Sequence, residues 1–144
     1  MNTYQPTESN EADTPIIAHE VPDSRRLAFL PRHFGRLMLA FEQSVYRFMS
    51  SLAPEYSGGY WRAFDLSNGG CYMATTGEPV LLCCENYFSD TVTADTAGII
   101  VCLYALSNLC FAYRNVENFA DHFHKLRGFA VQHKDRELIF AAID

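Results

Sequence analysis

The chain has 144 residues, of which 49% are hydrophobic and 19% are charged, and its formal net charge is −6. This length fits one domain, and the composition predicts a packed globular core, which excludes a chain that is disordered throughout. The acidic balance also disfavours a protein that binds the nucleic-acid backbone, because such proteins are usually basic.

The first 24 residues differ from the rest of the chain in their charge. They carry five acidic residues and no Lys or Arg, whereas residues 25–144 carry a net charge of only −1. They also lack the basic and apolar regions of a signal peptide. We therefore expect a disordered acidic leader over residues 1–24 and one folded domain over residues 25–144.

The first predicted elements are a helix and a group of strands. Apolar residues recur at helical spacing from Phe34 to Leu52, after a short helical turn that ends near Pro31. Strand-like segments follow at residues 60–66, 71–75 and 80–85. The Asn68-Gly69 pair between the first two segments predicts a type I′ hairpin turn. Together the segments predict a small antiparallel meander of three or four strands.

The C-terminal half is predicted to be helical. Thr93 can cap a helix over residues 94–113 that is apolar almost all round, which is typical of a central buried helix. Its most apolar run, residues 97–112, contains polar residues and is too short to span a bilayer. Asn115 can cap another helix, and a short one precedes the C-terminus. The predicted fold is a single compact α+β domain in which the meander packs with about four to five α-helices.

Sequence motifs for cofactors and metals are absent. No glycine-rich phosphate-binding loop follows a predicted strand. His122 and His124 are two residues apart, which places them on different faces of a helix, and Glu117 and His133 do not complete an HExxH motif. We therefore predict no cofactor and no metal site.

The five cysteines are odd in number and form no CxxC pair, which predicts reduced thiols in a cytoplasmic protein. Cys83 and Cys84 are neighbours in a strand and should point to opposite faces. A nucleophile pair of Cys71 and His133 has no supporting sequence context, so no enzymatic activity is predicted.

Aromatic side chains are dense around the predicted hairpin. Tyr60, Trp61 and Tyr72 could stack on bases or pack in the core, and core packing is the favoured interpretation. Because neighbouring strand residues alternate, at least one of these three should reach the surface beside Asp65, as at the rim of a protein interface. Five arginines around the first helix, at positions 25, 26, 32, 36 and 47, keep a DNA-binding regulatory protein as the alternative.

Several motifs, in chain order, resemble those of the ArdB/KlcA antirestriction family. They are RLAFLPRHFG, SGGYWRAFDLSNGGCYMA, the NYF and ADTAGI blocks of NYFSDTVTADTAGIIVCLYALS, LRGFAVQH and the terminal AID. The resemblance covers residues 25–144 without large gaps. It implies the family's compact α/β arrangement and a non-enzymatic inhibitor that protects incoming plasmid or phage DNA from type I restriction.

The implied partner is the type I restriction-modification complex, reached directly or through an intermediary. Residues 25–144 hold twelve acidic and eleven basic residues, too few acids for a full imitation of DNA, so we expect a shaped protein contact. The candidate contact residues lie on or beside the matched motifs: Tyr60, Trp61, Asp65, Tyr72, Tyr87, Asp90 and Asp144.

Overall fold

A computed structural model describes residues 14–144, and over that range the α+β class is confirmed. The strands are β1 (Ala18–Glu20), β2 (Trp61–Leu66), β3 (Cys71–Thr75), β4 (Val80–Cys83) and β5 (Ser89–Val92). The α-helices are α1 (Arg26–Phe34), α2 (Met38–Leu52), α3 (Ala94–Ala112), α4 (Glu117–Val131) and α5 (Arg136–Ile143). Short 3₁₀ turns, Asp23–Arg25 and Gly35–Leu37, precede α1 and α2.

The predicted first helix is divided between α1 and α2. The helical turn expected to end near Pro31 continues to Phe34. Gly35 then adopts a φ of 54°, which breaks the helix because this conformation is accessible mainly to glycine. The apolar stripe of α2 is buried as predicted, with Phe41, Val45 and Met49 in the core.

The strands form two separate sheets. One has the order β1-β2-β3 and is antiparallel, with Trp61 opposite Thr75 and Asp65 opposite Cys71. The third predicted strand, β4, does not extend this sheet but pairs with β5. Gly77, at a φ of 110°, lies between β3 and β4 together with Pro79, which has no N–H to donate to a ladder. The continuous meander expected from the sequence is therefore broken.

The predicted leader ends too late. Strand β1 pairs with β2, and Val21 is buried with its N–H donating to the Ala63 carbonyl at 2.8 Å. The side chain of Gln132 bonds both the N–H and the carbonyl of Ile16. The prediction of disorder is wrong for these residues, because the open edge of β2 takes a partner from this segment. Residues 1–13 of the leader lie outside the described residues.

The β2–β3 turn is not of the predicted type. Leu66 N–H donates to the Gly70 carbonyl at 2.9 Å, which leaves a three-residue loop. Within this loop only Gly69 has a positive φ, at 92°, whereas a type I′ turn needs two such residues. A three-residue loop that ends in a positive-φ glycine is the G1-bulge form of hairpin. The loop rests on α4, where Asn68 Nδ2 donates to the Lys125 carbonyl.

Helix α3 is the centre of the fold, as predicted. Thr93 caps it by accepting from Thr96 N–H, and twelve of its residues are buried. Its backbone approaches β3 so closely that a Cβ at Gly98 would lie 2.3 Å from the Met73 carbonyl oxygen. Helix α3 is long and apolar enough to cross a membrane when judged by length and composition alone, although its apolar run was expected to be too short. Burial of 67% of its apolar stretch inside the protein explains the composition.

Candidate functional site

The seven predicted contact residues divide into buried and exposed groups. Trp61 and Tyr72 are buried, at 5% and 2% exposure, and Asp65 is partly buried. Tyr60 and Tyr87 are exposed by 55% and 96%. Asp90 and Asp144 are also exposed. The expectation that at least one aromatic residue of the β2–β3 region reaches the surface is confirmed by Tyr60. Its hydroxyl donates to the Asp23 carboxylate at 3.4 Å, whereas the sequence predicted an exposed ring beside Asp65.

Trp61 and Tyr72 are core residues, and their burial speaks against the prediction that they contribute contacts. Trp61 Nε1 donates to the Tyr56 hydroxyl at 3.0 Å. Tyr72 stacks between Phe64 and Phe129, with ring centroids 4.7 Å and 5.9 Å away. Both rings are covered by neighbouring side chains, which leaves no surface for a partner.

Asp65 is engaged by two residues of α1. Its carboxylate accepts from Arg32 Nη2 at 3.0 Å and from His33 Nε2 at 2.7 Å. Burial opposes its charge, but the hydrogen bonds from His33 and Arg32 outweigh burial and hold the pKa of Asp65 below its ordinary value. Burial also lowers the pKa of His33. Asp65 therefore fastens α1 to the sheet.

Three of the quoted motifs meet in one hydrogen-bond network at the start of α3. Asp95 accepts from the Tyr72 hydroxyl at 2.6 Å and pairs with His133 Nε2 at 3.1 Å. Asp135 N–H donates to His133 Nδ1 at 3.0 Å, and the Asp135 carboxylate accepts from the Thr96 hydroxyl at 2.8 Å. We name these five residues the α3 network. Each of its side chains already has a partner within the fold.

The electrostatics of the α3 network favour an ionised Asp95. Burial raises the pKa of this carboxyl, but hydrogen bonds from His133 and Tyr72 outweigh burial and leave the pKa below its ordinary value. The pKa of Tyr72 is raised, chiefly by burial and then by its bond to Asp95, so the phenol stays protonated. In the α3 network the Asp95 carboxylate accepts from Tyr72 and His133, and the Asp135 carboxylate accepts from Thr96.

The β4–β5 hairpin is fastened to the C-terminus of the chain. Asn86 Nδ2 donates to the carbonyls of Ala141 and Ala142, at 2.9 Å and 3.1 Å. The Tyr104 hydroxyl donates to the same Ala142 carbonyl at 2.6 Å. These bonds bring the NYF block and the terminal AID block together, and they place Tyr87 at the tip of a supported hairpin next to the chain end.

Tyr87 combines exposure with an unusual backbone conformation. Among the described residues it is the only non-glycine with a positive φ, at 73°. Its N–H closes the turn by donating to the Cys84 carbonyl at 3.1 Å. A tyrosine in this region of φ costs on the order of 1 kcal/mol, and such costs are concentrated at functional sites.

A small cavity of about 160 Å³ lies beside the C-terminus. Arg127 and Asp144 both line it, with apolar residues that include Leu103 and Phe123. The Arg127 guanidinium lies over the Phe140 ring at 5.0 Å. Asn86, Tyr87, Arg127 and Asp144 together define what we call the hairpin–terminus surface. Asp90 lies on the same hairpin, where its carboxylate accepts from Thr91 N–H.

The thiols are placed for packing. All five cysteines are free, Cys83 is exposed and Cys84 is buried, so the predicted opposite orientation of the last two is confirmed. Cys71 lies 3.8 Å from His122 Nδ1 and not beside His133. Burial raises the pKa of the Cys71 thiol well above its ordinary value and lowers the pKa of His122 to about 4. Both groups are therefore neutral, which disfavours an activated thiolate.

Comparison with known proteins decides the family. A family model described as "Antirestriction protein" matches residues 54–144. An Escherichia coli protein named antirestriction protein KlcA is 37% identical over 139 residues, covering 91% of this chain and 95% of that protein. The chain belongs to the ArdB/KlcA antirestriction family.

Further members of the family agree with this assignment. A second Escherichia coli KlcA is 38% identical over 141 residues, covering 94% of this chain and 99% of that protein. A solved structure reported for the KlcA and ArdB proteins matches with a TM-score of 0.85 at 37% identity, over 100% of both chains. Those proteins are described as showing a novel fold and antirestriction activity against type I DNA restriction systems in vivo but not in vitro.

Sequence reasoning identified Tyr87 and Asp144 but missed the residues that bring them together. Asn86 belongs to the same NYF block, and its side-chain amide is the group that bonds the C-terminal carbonyls. Tyr104 and Arg127 lie in quoted stretches, ending in CLYALS and beginning LRGFAVQH, but nothing in those stretches marked them as neighbours of the C-terminus. The NYF block, in which a polar residue precedes two aromatic residues, was the one signal that could have pointed to Asn86.

Proposed function

We propose that this ArdB/KlcA-family protein relieves type I restriction of incoming plasmid or phage DNA. The observation that carries the proposal is the match to KlcA over nearly the whole of both chains, together with the TM-score of 0.85 to the KlcA and ArdB structure. The protein acts as an inhibitor without chemistry of its own. The neutral Cys71–His122 pair supports this view, because it lacks a thiolate nucleophile.

Imitation of duplex DNA is a poor explanation for this protein. Duplex DNA carries one charge per about 1.7 Å of its axis. The folded domain has nearly equal numbers of acids and bases. Several acids are also occupied inside the fold: Asp65 pairs with Arg32, Glu20 with Arg62, and Asp95 with His133. The remaining acids are too few to form a continuous row of charge.

The alternative of a DNA-binding regulatory protein is also less favoured. It would depend on the arginines around α1, and two of them are engaged within the fold. Arg26 donates to the Trp61 carbonyl and its guanidinium lies over the Phe29 ring, while Arg32 pairs with Asp65. The remaining cations of this region do not form the long basic stripe that backbone binding requires.

We place the contact with the restriction machinery at the hairpin–terminus surface. Tyr87 offers an almost fully exposed aromatic ring on a hairpin that Asn86 holds in place. Arg127 and Asp144 add charges of opposite sign beside a shallow cavity. A rigid exposed tyrosine next to charged groups is a composition that recurs at interface hot spots. This arrangement supports recognition of one shaped site on a protein.

The target is the type I complex in a state that forms inside the cell, or an intermediary that acts on it. This choice is supported by the KlcA and ArdB proteins, which show antirestriction activity in vivo but not in vitro. A purified enzyme on a short substrate lacks other cellular proteins and the full course of DNA translocation. The protein then acts in the cytoplasm, where incoming DNA meets the enzyme, in keeping with its five free thiols.

Plating efficiency of unmodified phage tests the proposal. The phage is plated on a type I-restricting host with and without expression of this protein, and on an isogenic host that lacks the restriction subunit. Expression should raise plating on the restricting host and leave plating on the control host unchanged. Unchanged plating on hosts with several different type I systems would refute the proposed function.

A second experiment separates direct action from indirect action. The protein is added to a purified type I enzyme, and separately to an extract of the restricting host, while cleavage of unmodified plasmid is followed. Inhibition in the extract alone supports an intermediary. Inhibition of the purified enzyme at a stoichiometric ratio would contradict it and establish direct binding.

A further inference from the structure

Three side chains able to ligate a metal ion meet in the core. They lie so far apart in the sequence that no metal-binding motif contains them. They are His33 of α1, Cys71 of β3 and His122 of α4, and their ligand atoms lie within 4.8 Å of one another. Cys71 is fully buried and His122 is 5% exposed. The side chain of His33 is 8% exposed. Among the described residues this is the one cluster of such ligands that meets at this distance.

We propose that His33, Cys71 and His122 bind one zinc ion, with a water molecule at the fourth position. Two imidazoles and one thiolate suit zinc, whose open sites use three protein ligands. Ligand atoms of a tetrahedral zinc site lie roughly 3.5 Å apart, given bonds of about 2.1–2.3 Å. Cys71 Sγ and His122 Nδ1 are already 3.8 Å apart. The widest separation needs to shorten by only about 1 Å.

His33 has the kind of hydrogen-bond partner that orients a histidine at a metal site. His33 Nε2 lies 2.7 Å from the Asp65 carboxylate, which accepts only, so the other ring nitrogen of His33 carries the lone pair. Arg32 in turn holds Asp65 from the other side. A carboxylate partner of this kind orients a histidine at metal sites.

The charge state of the cluster is compatible with binding. The Cys71 thiol must lose its proton when the metal binds. Arg32 and Lys125 add positive charge near the cluster. The negative charges of the Cys71 thiolate and of Asp65 balance it. The bound ion would join α1, β3 and α4, a stabilising role separate from the antirestriction activity.

Metal titration of the purified full-length protein tests the proposal. The reduced protein is treated with a chelator, dialysed, and titrated with Zn²⁺ by calorimetry and with Co²⁺ by absorption. We expect one ion per chain, a thiolate-to-cobalt charge-transfer band and a higher melting temperature with zinc. Cys71→Ser and His122→Asn should each lower the affinity at least about tenfold, and Asp65→Asn by about 10–100-fold.

Cys110→Ser and His124→Asn serve as matched controls, because they remove the same residue types outside the cluster and should bind zinc like the wild type. Failure of the folded wild-type protein to bind an ion would overturn the proposal. A charge-transfer band that persists in Cys71→Ser, or a cobalt complex of the wild type without this band, would also overturn it. If His122→Asn does not fold, the wild-type spectrum and Cys71→Ser still decide the question.

Discussion

The α3 network and the hairpin–terminus surface are both built from family motifs, but their side chains face different surroundings. In the network, Tyr72, Asp95 and His133 satisfy one another inside the fold. At the hairpin, Tyr87 is 96% exposed and its side chain makes no hydrogen bond within residues 14–144, while Asn86 beneath it carries the structural bonds.

The difference shows how two motif residues of one type can have opposite roles. Tyr72 and Tyr87 are both tyrosines in matched blocks, yet one donates to a partly buried carboxylate and the other projects into solvent. The two roles differ in hydrogen bonding. A side chain whose hydrogen-bonding groups are all satisfied inside the fold has no free group with which to bind another protein. Changes in the network should therefore alter stability, and changes at the hairpin should alter activity.

The largest effect on stability is expected at Gly98, which allows the backbone of α3 to approach β3 closely. In Gly98→Ala the new Cβ would meet the Met73 carbonyl oxygen and Ala74, both too close for a carbon atom. We expect a loss of about 3 kcal/mol in the free energy of unfolding, at the upper end of the cost of overpacking, or no folded protein. Gly128→Ala is the control, because its Cβ would make an ordinary 3.6 Å contact with Ile16. Equal stability of both variants to urea would contradict the close approach.

Removal of strand β1 should have the next largest effect. Deletion of residues 1–22 removes the pairing with β2 and the buried Val21, whose burial contributes about 1.5–3 kcal/mol. We expect a clear fall in melting temperature. Deletion of residues 1–13 removes none of these contacts and is the matched control. A 1–22 deletion as stable as the control would restore the leader boundary at residue 24.

Asp95→Asn tests the α3 network through its pH dependence. Because the pKa of Asp95 is lowered in the folded state, its ionised form stabilises the fold above the ordinary carboxyl pKa of 3.8, and this contribution is lost as the pH falls below that value. Asp95→Asn should cost about 1–2 kcal/mol at neutral pH and show a smaller further loss in acid. Chemical unfolding measured from about pH 7 to about pH 3 checks this. Parallel pH curves for variant and wild type would argue against an ionised Asp95.

The smallest effect on stability is expected at Tyr87. Asparagine tolerates a positive φ better than most residues, so Tyr87→Asn should change the free energy of unfolding by no more than about 0.5 kcal/mol. Tyr60→Asn is the matched control for loss of an exposed tyrosine elsewhere. Thermal unfolding of both variants measures the effect. A large fall in the Tyr87 variant would mean that the ring packs against the fold.

Much of the fold could be predicted from the sequence, because a long helix shows its hydrophobic pattern within one continuous segment. The apolar composition of α3 and the stripe of α2 predicted two buried helices, and the Thr93 cap was placed correctly. Strand β1 was missed because it has only three residues and its pairing partner lies more than forty residues away. Pairing at such a distance leaves no periodic signal in so short a segment.

The site was harder to predict because burial depends on what covers each face of a sheet. Alternation predicted that Tyr60, Trp61 and Tyr72 could not all face inward, and Tyr60 is exposed, but alternation could not tell which of the three would be buried. Residues 71–74 of β3 are all buried, so both faces of that strand are covered. The junction of Asn86 with the C-terminus joins segments 55 residues apart, and the sequence alone contains no sign of that contact.

Restriction relief by Tyr87→Asn tests the central claim most directly. The variant and Tyr60→Asn are expressed at matched levels in a type I-restricting host, with their melting temperatures measured in parallel, and unmodified phage is plated on each. We predict that Tyr87→Asn loses most of the relief at an unchanged melting temperature while Tyr60→Asn keeps it. Full relief by the Tyr87 variant, or equal losses in both variants, would contradict a contact at the hairpin–terminus surface.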